Sequence, residues 1–204
     1  MENNYWSADD WLIFKPEFNE NLDEYYDIIN NYNKIMFSNY DDERNFADEL
    51  FIKNLDDVNY LEPKCKYYFG FKQNKFNKKI DLSKNTNLTH LILGCDFNQE
   101  IDLSNNINLT HLILGFGFNQ EIDLSNNINL THLNFDQGDA CDYFNRKINL
   151  KNNINLKYLS LNNEFNQDID LSNNINLTYL FLGSGNFNQE INLLNNINLT
   201  HLTF

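Results

Sequence analysis

One sentence recurs through this chain with small changes: Phe-Asn-Gln-Glu-Ile-Asp-Leu-Ser-Asn-Asn-Ile-Asn-Leu-Thr-His-Leu-Ile-Leu-Gly. Its Phe-Asn opening stands at Phe76, Phe97, Phe118, Phe144, Phe165 and Phe187, in steps of 21, 21, 26, 21 and 22 residues. A period of that length means a stacked solenoid, in which each copy forms one coil and buries its apolar side only against its neighbours. The catalytic readings are weakened at once. The acids Asp81, Asp102, Asp123 and Asp170 recur at one repeat position, whereas a catalytic constellation has to be unique. A phosphate-cradling glycine loop and a nucleophile paired with a base are both missing. The expectation is a protein that is not an enzyme, with no cofactor and no metal.

Within one repeat, no single 3.6-residue period accommodates Phe97, Ile101, Leu103, Ile107, Leu109, Leu112 and Leu114, and helix-poor Asn and Ser are spread throughout. The stretch ending at Leu112-Ile-Leu114 alternates and predicts a strand of three to five residues. Stacked strands make a parallel sheet with a spacing of about 4.8 Å along one side of the solenoid. The pairs Leu91/Leu93, Leu112/Leu114, Leu133/Phe135, Leu159/Leu161, Leu180/Leu182 and Leu202/Phe204 are expected to point inward. The six Phe are expected to stack as a spine. The Asn after each (Asn77, Asn98, Asn119, Asn145, Asn166, Asn188) is expected to form an internal ladder that satisfies backbone groups of an irregular turn.

Two columns are expected on the outer face of the sheet. One reads Tyr68, His90, His111, His132, Tyr158, Tyr179 and His201, and holds every histidine of the chain; its neighbour includes Ile92, Ile113 and Phe181. Repeat proteins commonly bind partners through such faces, and aromatic side chains are suitable anchors. A straight histidine ladder does not converge on one ion as a tetrahedral zinc site requires.

These residues resemble known repeats. Leu-x-x-Leu-x-Leu with a following turn and Asn looks like the leucine-rich repeat. Leu-x-Leu-Gly-x-x-Phe-Asn-x-x-Ile looks more closely like the FNIP repeat of social amoebae and their giant DNA viruses. The proline common in FNIP repeats six residues before the strand Leu is replaced by Asn85, Asn106, Asn127, Asn153, Asn174 and Asn196, and survives only at Pro63. Counting a degenerate strand at Tyr68–Phe71, the resemblance implies about seven 21–22-residue coils over residues 63–204. FNIP proteins often carry an F-box, which would make the chain a ubiquitin-ligase adaptor; its usual Leu-Pro opening is missing here.

Residues 1–62 depart from the repeat and hold 16 acidic and 4 basic side chains, a net of −12 out of −14 for the chain. This segment is expected to be a helical N-terminal cap. Asn21–Phe37 and Asp41–Leu55 can be read as amphipathic helices, while Phe18-Asn19-Glu20-Asn21-Leu22-Asp23 echoes the repeat and suggests decayed copies. Lys64, Lys66, Lys72, Lys75, Lys78, Lys79 and Lys84 crowd the first repeat and are expected to pair with the acidic segment. The acidic balance argues against nucleic acid, and no run approaches the roughly 18 apolar residues of a membrane span. Cys65, Cys95 and Cys141 follow no disulfide or zinc pattern. An N-terminus without a signal peptide leads to the expectation of an intracellular chain in the cytoplasm of a host cell, whose Asn-Leu-Thr triplets are not glycosylated. Three aspartates in 136–142 read as a solvated loop. The expected function is binding of a host or viral protein through the sheet face. The alternative is assembly, including a homodimer, through the edge at Phe204.

Overall fold

The computed structural model describes residues 4–8, 10–37, 74–135, 143–183 and 185–204. Among the described residues, nine strands form one sheet in chain order. They are β1 (Tyr5–Ala8), β2 (Trp11–Phe14), β3 (Lys34–Phe37), β4 (His90–Leu93), β5 (His111–Leu114), β6 (His132–Asn134), β7 (Tyr158–Leu161), β8 (Tyr179–Leu182) and β9 (His201–Thr203). β1 pairs antiparallel with β2, and every later pair is parallel. The fold is a parallel-sheet solenoid in which each coil runs from a Phe-Asn arch to a strand: 18–37, 76–93, 97–114, 118–135, 144–161, 165–182 and 187–204.

Strand polarity matches the alternation of the sequence. Leu91, Leu93, Leu112, Leu114, Leu159, Leu161, Leu180 and Leu182 are buried in one continuous core with Phe76, Phe97, Phe118, Phe144 and Phe165. The Phe spine is regular: ring centroids are 5.9 Å apart for Phe76–Phe97 and 6.2 Å for Phe97–Phe118, Phe118–Phe144, Phe144–Phe165 and Phe165–Phe187, with the Phe97 and Phe118 planes within 1° of parallel. Coils approach so closely after the strand that a Cβ on Gly115 would run into the carbonyl of Gly94. Gly183 sits at φ +94°, a left-handed turn that only glycine adopts without strain.

The reading of Asn21–Phe37 as one helix holds only for a short piece. A 3₁₀ turn spans Leu22–Glu24 and helix α1 spans Tyr26–Ile29, after which Lys34–Phe37 is a strand. Pairing with β2 on one side and β4 on the other provides more than a lone helix of Asn- and Tyr-rich sequence could. The echo at Phe18-Asn19 proves structural. Phe18 stacks on Phe76 at 5.7 Å, and the Asn77 N–H donates to Asn19 Oδ1 at 3.2 Å. Asn33 O receives the Thr89 and His90 N–H groups, as Thr89 O receives those of Thr110 and His111 one coil later. Residues 18–37 are therefore a coil with an unrepetitive sequence. The sheet position beside β4 belongs to Lys34–Phe37. The expected helix at Asp41–Leu55, the expected strand at Tyr68–Phe71 and the loop at 136–142 lie outside the described residues.

Two asparagine ladders tie the coils together. The expected one exists, but at the surface: the N–H groups of Asn98, Asn119, Asn145, Asn166 and Asn188 each donate to Oδ1 of the corresponding Asn one coil earlier, at 2.9–3.2 Å. Since Phe faces inward, the residue after it faces out. The internal ladder is instead Asn85, Asn106, Asn127, Asn153, Asn174 and Asn196, all buried, where FNIP repeats carry proline. Asn127 Nδ2 donates to Leu103 O at 3.0 Å and Asn106 O at 2.9 Å, and the same pair of bonds recurs from Asn106, Asn153, Asn174 and Asn196. Their Oδ1 atoms are buried without a partner, so the ladder works through its donors.

Candidate functional site

The outer-face columns form as registered stacks. His90, His111 and His132 lie one per strand, with ring centroids 4.3 Å apart at each step and planes within 8° of parallel. Tyr158 follows His132 at 6.0 Å, Tyr179 follows Tyr158 at 4.4 Å, and His201 follows Tyr179 at 5.9 Å. Before His90 the column holds Lys34 and Trp11, and the Trp11 ring meets His90 edge-on at 5.5 Å. Tyr68 lies outside the described residues. Ile92, Ile113 and Tyr158 are buried in a second apolar cluster with Trp6, Trp11, Ile13 and Met36.

Burial divides this face. His111, His132, Tyr158, Ile92 and Ile113 are buried, so a partner cannot reach them in this conformation. His90, Tyr179 and Phe181 are half-buried, and His201 is exposed. The accessible residues of the expected binding face thus cluster in its C-terminal third, with His90 half-buried at the other end.

A threonine relay sets the histidine tautomers. Thr89, Thr110, Thr131 and Thr200 each donate Oγ1–H to a carbonyl of the preceding coil, at 3.0–3.2 Å. With its hydrogen committed, each Oγ1 can only accept from the following histidine, 2.9 Å away at Nδ1. All four imidazoles therefore carry their hydrogen on Nδ1 when neutral. Burial, then the neighbouring imidazole of His111 and the nearby lysines, pushes His90 and His132 down to about 3. His90 and His132 are therefore uncharged at neutral pH.

The recurring aspartates are turn formers. Asp81, Asp102, Asp123 and Asp170 each accept the N–H of the serine two residues on at 2.9 Å, and hydrogen bonding from that serine's hydroxyl and N–H lowers their pKa values below the usual carboxylate range. Among the described residues, no group of three His, Cys, Asp or Glu could hold a metal. Within the lysine cluster, Lys75 Nζ reaches Glu17 at 2.7 Å, an exposed pair with the acidic segment; Lys78, Lys79 and Lys84 are exposed, and Lys64, Lys66 and Lys72 lie outside the described residues. Cys95 is buried. Among the described residues, no helix is long and apolar enough to cross a membrane.

A feature the sequence reading missed is the gradient of apolar exposure. Ile107, Ile128, Ile154 and Ile175 form a stripe about half exposed, but in the last coil Ile197 is 85 % exposed and Leu194, which replaces the usual serine, is 84 % exposed. Leu202 and Phe204 are 46 % and 45 % exposed. The Ser→Leu change at position 194 was the available signal.

The class that this geometry defines is the leucine-rich-repeat type of solenoid. The chain is similar in fold to the CroV protein CroV588, described as a novel circular leucine-rich-repeat structure, with 24 % identity, 93 % of this chain and 26 % of that chain covered, and a TM-score of 0.50. The functional domain of InlJ from Listeria monocytogenes, described as including a cysteine ladder, matches at 28 % identity over 62 % of this chain and 32 % of that chain, with a TM-score of 0.42. The matches thus span about a quarter and about a third of those proteins. No family model matches the chain, and no curated protein matches it significantly.

Proposed function

We propose that the protein is a non-enzymatic, protein-binding solenoid of the FNIP-like kind, and that its partner, a host or viral protein, is held by the C-terminal third of the outer sheet face. The observation that carries this reading is the accessibility of Tyr179, Phe181 and His201, clustered at one end of a face whose other aromatic and apolar side chains, His90 apart, are buried. Aromatic anchors on a rigid sheet lose little conformational entropy on binding. A fixed scaffold supports them from behind: Leu180 and Leu182 are in the core.

The test is cross-linking mass spectrometry on the chain in its native cell extract, wild type against Tyr179→Ala/Phe181→Ala. The proposal expects a specific protein cross-linked near β8 and β9 in the wild type and at least tenfold less in the variant. Equal recovery of every cross-linked protein from both would remove the sheet face from consideration.

A further inference from the structure

Between the buried asparagine ladder and the strands, the coils turn a corner on an isoleucine. Ile107, Ile128, Ile154 and Ile175 stand about half exposed, one per coil, and exposed Thr86 holds the same position in the first repeat. Each lies in a coil with a neighbour on both sides, so the exposure belongs to the corner itself. The ridge is held on both flanks. Asn108, Asn129, Asn155 and Asn176 donate Nδ2–H to the carbonyls of Thr86, Ile107, Ile128 and Ile154 at 2.9–3.0 Å. Asn105, Asn126, Asn152 and Asn173 donate to the carbonyls of Ser83, Ser104, Ser125 and Lys151 at 3.0–3.2 Å. These bonds all run one way, from a coil to the one before it.

Such a ridge is suited to being covered. Its backbone is fixed before anything binds, so little conformational entropy remains to be lost. The flanking amides have already found acceptors, so covering them strips fewer hydrogen bonds from water than covering free amides would. Charge is sparse as well. Segments 104–110, 125–131 and 172–178 contain no ionisable side chain, and 151–157 has only Lys151 and Lys157, at its ends. A contiguous apolar row with a neutral polar rim is the kind of patch that marks an interaction surface.

We propose that the isoleucine ridge docks on the same ridge of a second copy of this chain, antiparallel, about a two-fold axis near Ile128. This goes beyond the partner-binding reading above and does not rest on it. The occupant has to present apolar side chains at the ridge's own step of about 4.8 Å with no charge between them, and a second copy does so. A two-fold axis across the ridge reverses one copy, and a half-step offset then seats each isoleucine between two of its partner's. An axis along the ridge would set every isoleucine head-on against its mate. Reversal also keeps the acid apart: residues 1–62 hold 16 acidic against 4 basic side chains, and Glu20, Asp23, Glu24 and Asp27 are exposed on the first coil. Five coils at about 4.8 Å per step give a face about 20 Å long, and its width is similar. Two such faces remove about 1,000 Å² in total, the lower bound for a specific contact, so the dimer is a weak one.

The test is sedimentation equilibrium of the full chain from about 1 μM to about 1 mM. A monomer–dimer equilibrium with Kd in the micromolar range is expected, and Ile128→Lys/Ile154→Lys should weaken it at least tenfold. Ile128→Thr/Ile154→Thr, which installs the residue standing at position 86, should also weaken it and keeps the test valid if the lysines lower the urea midpoint. A photo-cross-linking amino acid placed at Lys84, in a mixture with isotope-labelled chain, reads the orientation: capture of residues 165–204 of the second copy is expected, and capture of residues 76–93 would overturn the antiparallel contact. A chain that stays monomeric up to about 1 mM overturns the proposal, as does a dimer that both double variants leave intact. So does capture, by the same cross-linker in cell extract, of a different protein in place of the second copy.

Discussion

The first and last coils are opposites. Residues 18–37 share almost nothing with the repeat sentence, yet Phe18, Leu22, Ile29, Ile35 and Phe37 are buried in the common core. Residues 187–204 spell the sentence nearly word for word, yet Leu202 and Phe204 stay about half exposed. In a solenoid, burial is conferred by the neighbour and not by the residue type. The first coil has neighbours on both sides: Phe37 stacks on Phe14 at 4.8 Å and on Phe76 at 4.0 Å, and Tyr25 meets Phe18 edge-on at 5.2 Å. The last coil rests on β8 alone.

The sharpest way to break this contrast is to truncate the rings. Phe18→Ala and Phe97→Ala, both in closed stacks, should each cost about 3–5 kcal/mol in urea unfolding. Phe204→Ala should cost about 1 kcal/mol or less, because its transfer from water is incomplete. If Phe18→Ala proved as mild as Phe204→Ala, the first coil would not be an integral coil. Next in size is Asn127→Leu, which strips the donors from Leu103 O and Asn106 O inside the core. Leaving buried carbonyls unpaired should cost about 2–4 kcal/mol, while the exposed Asn126→Leu should change the urea midpoint far less.

Acid titration sharpens the comparison between the closed and open parts of the outer face. His90 and His132 are held at about 3 in the fold, against an ordinary value of 6.5. The unfolded chain therefore binds more protons between those values, and stability falls as pH drops from about 6.5, levelling near 3. His132→Tyr, which installs the residue found at the same column position in β7 and β8, should flatten that slope. An unchanged slope between pH 6.5 and 4 would show that the stack does not control acid stability. The smallest effect expected is from Lys75→Ala, which removes an exposed pair with Glu17 and should move the midpoint least of all, less still in high salt.

Much of this architecture was legible because the period of the repeat and the alternation within its strands are local. Phe76 to Phe187 had to form one spine once the coils were in register, and Leu112 and Leu114 had to point the same way. The first coil was not legible. Ile28, Ile29, Tyr32, Ile35 and Met36 satisfy a helical period as well as they satisfy a turn and a strand, and only pairing with β2 and β4 decides between them. The choice of internal ladder was equally hidden. With asparagine making up about a fifth of the chain, nothing local separates Asn98 from Asn106. Only Asn106 is flanked by two carbonyls of the preceding coil, at 3.0 and 2.8 Å.

The site follows the same division. The sequence by itself determined which side chains form a column, since residues one period apart must stack. It also determined that Asp81, Asp102, Asp123 and Asp170 share one repeat position, while their role in the turn came from the structure. Only the tertiary structure decided which members of the column are accessible. His111, His132 and Tyr158 are closed off and Tyr179 and His201 are not, although all occupy equivalent places in the repeat; in the neighbouring column Ile92 and Ile113 are buried and Phe181 is not. The tertiary structure also revealed the one-way run of hydrogen bonds. A donor's direction is a relation between two coils, and a repeat unit, however often it is written, specifies only itself.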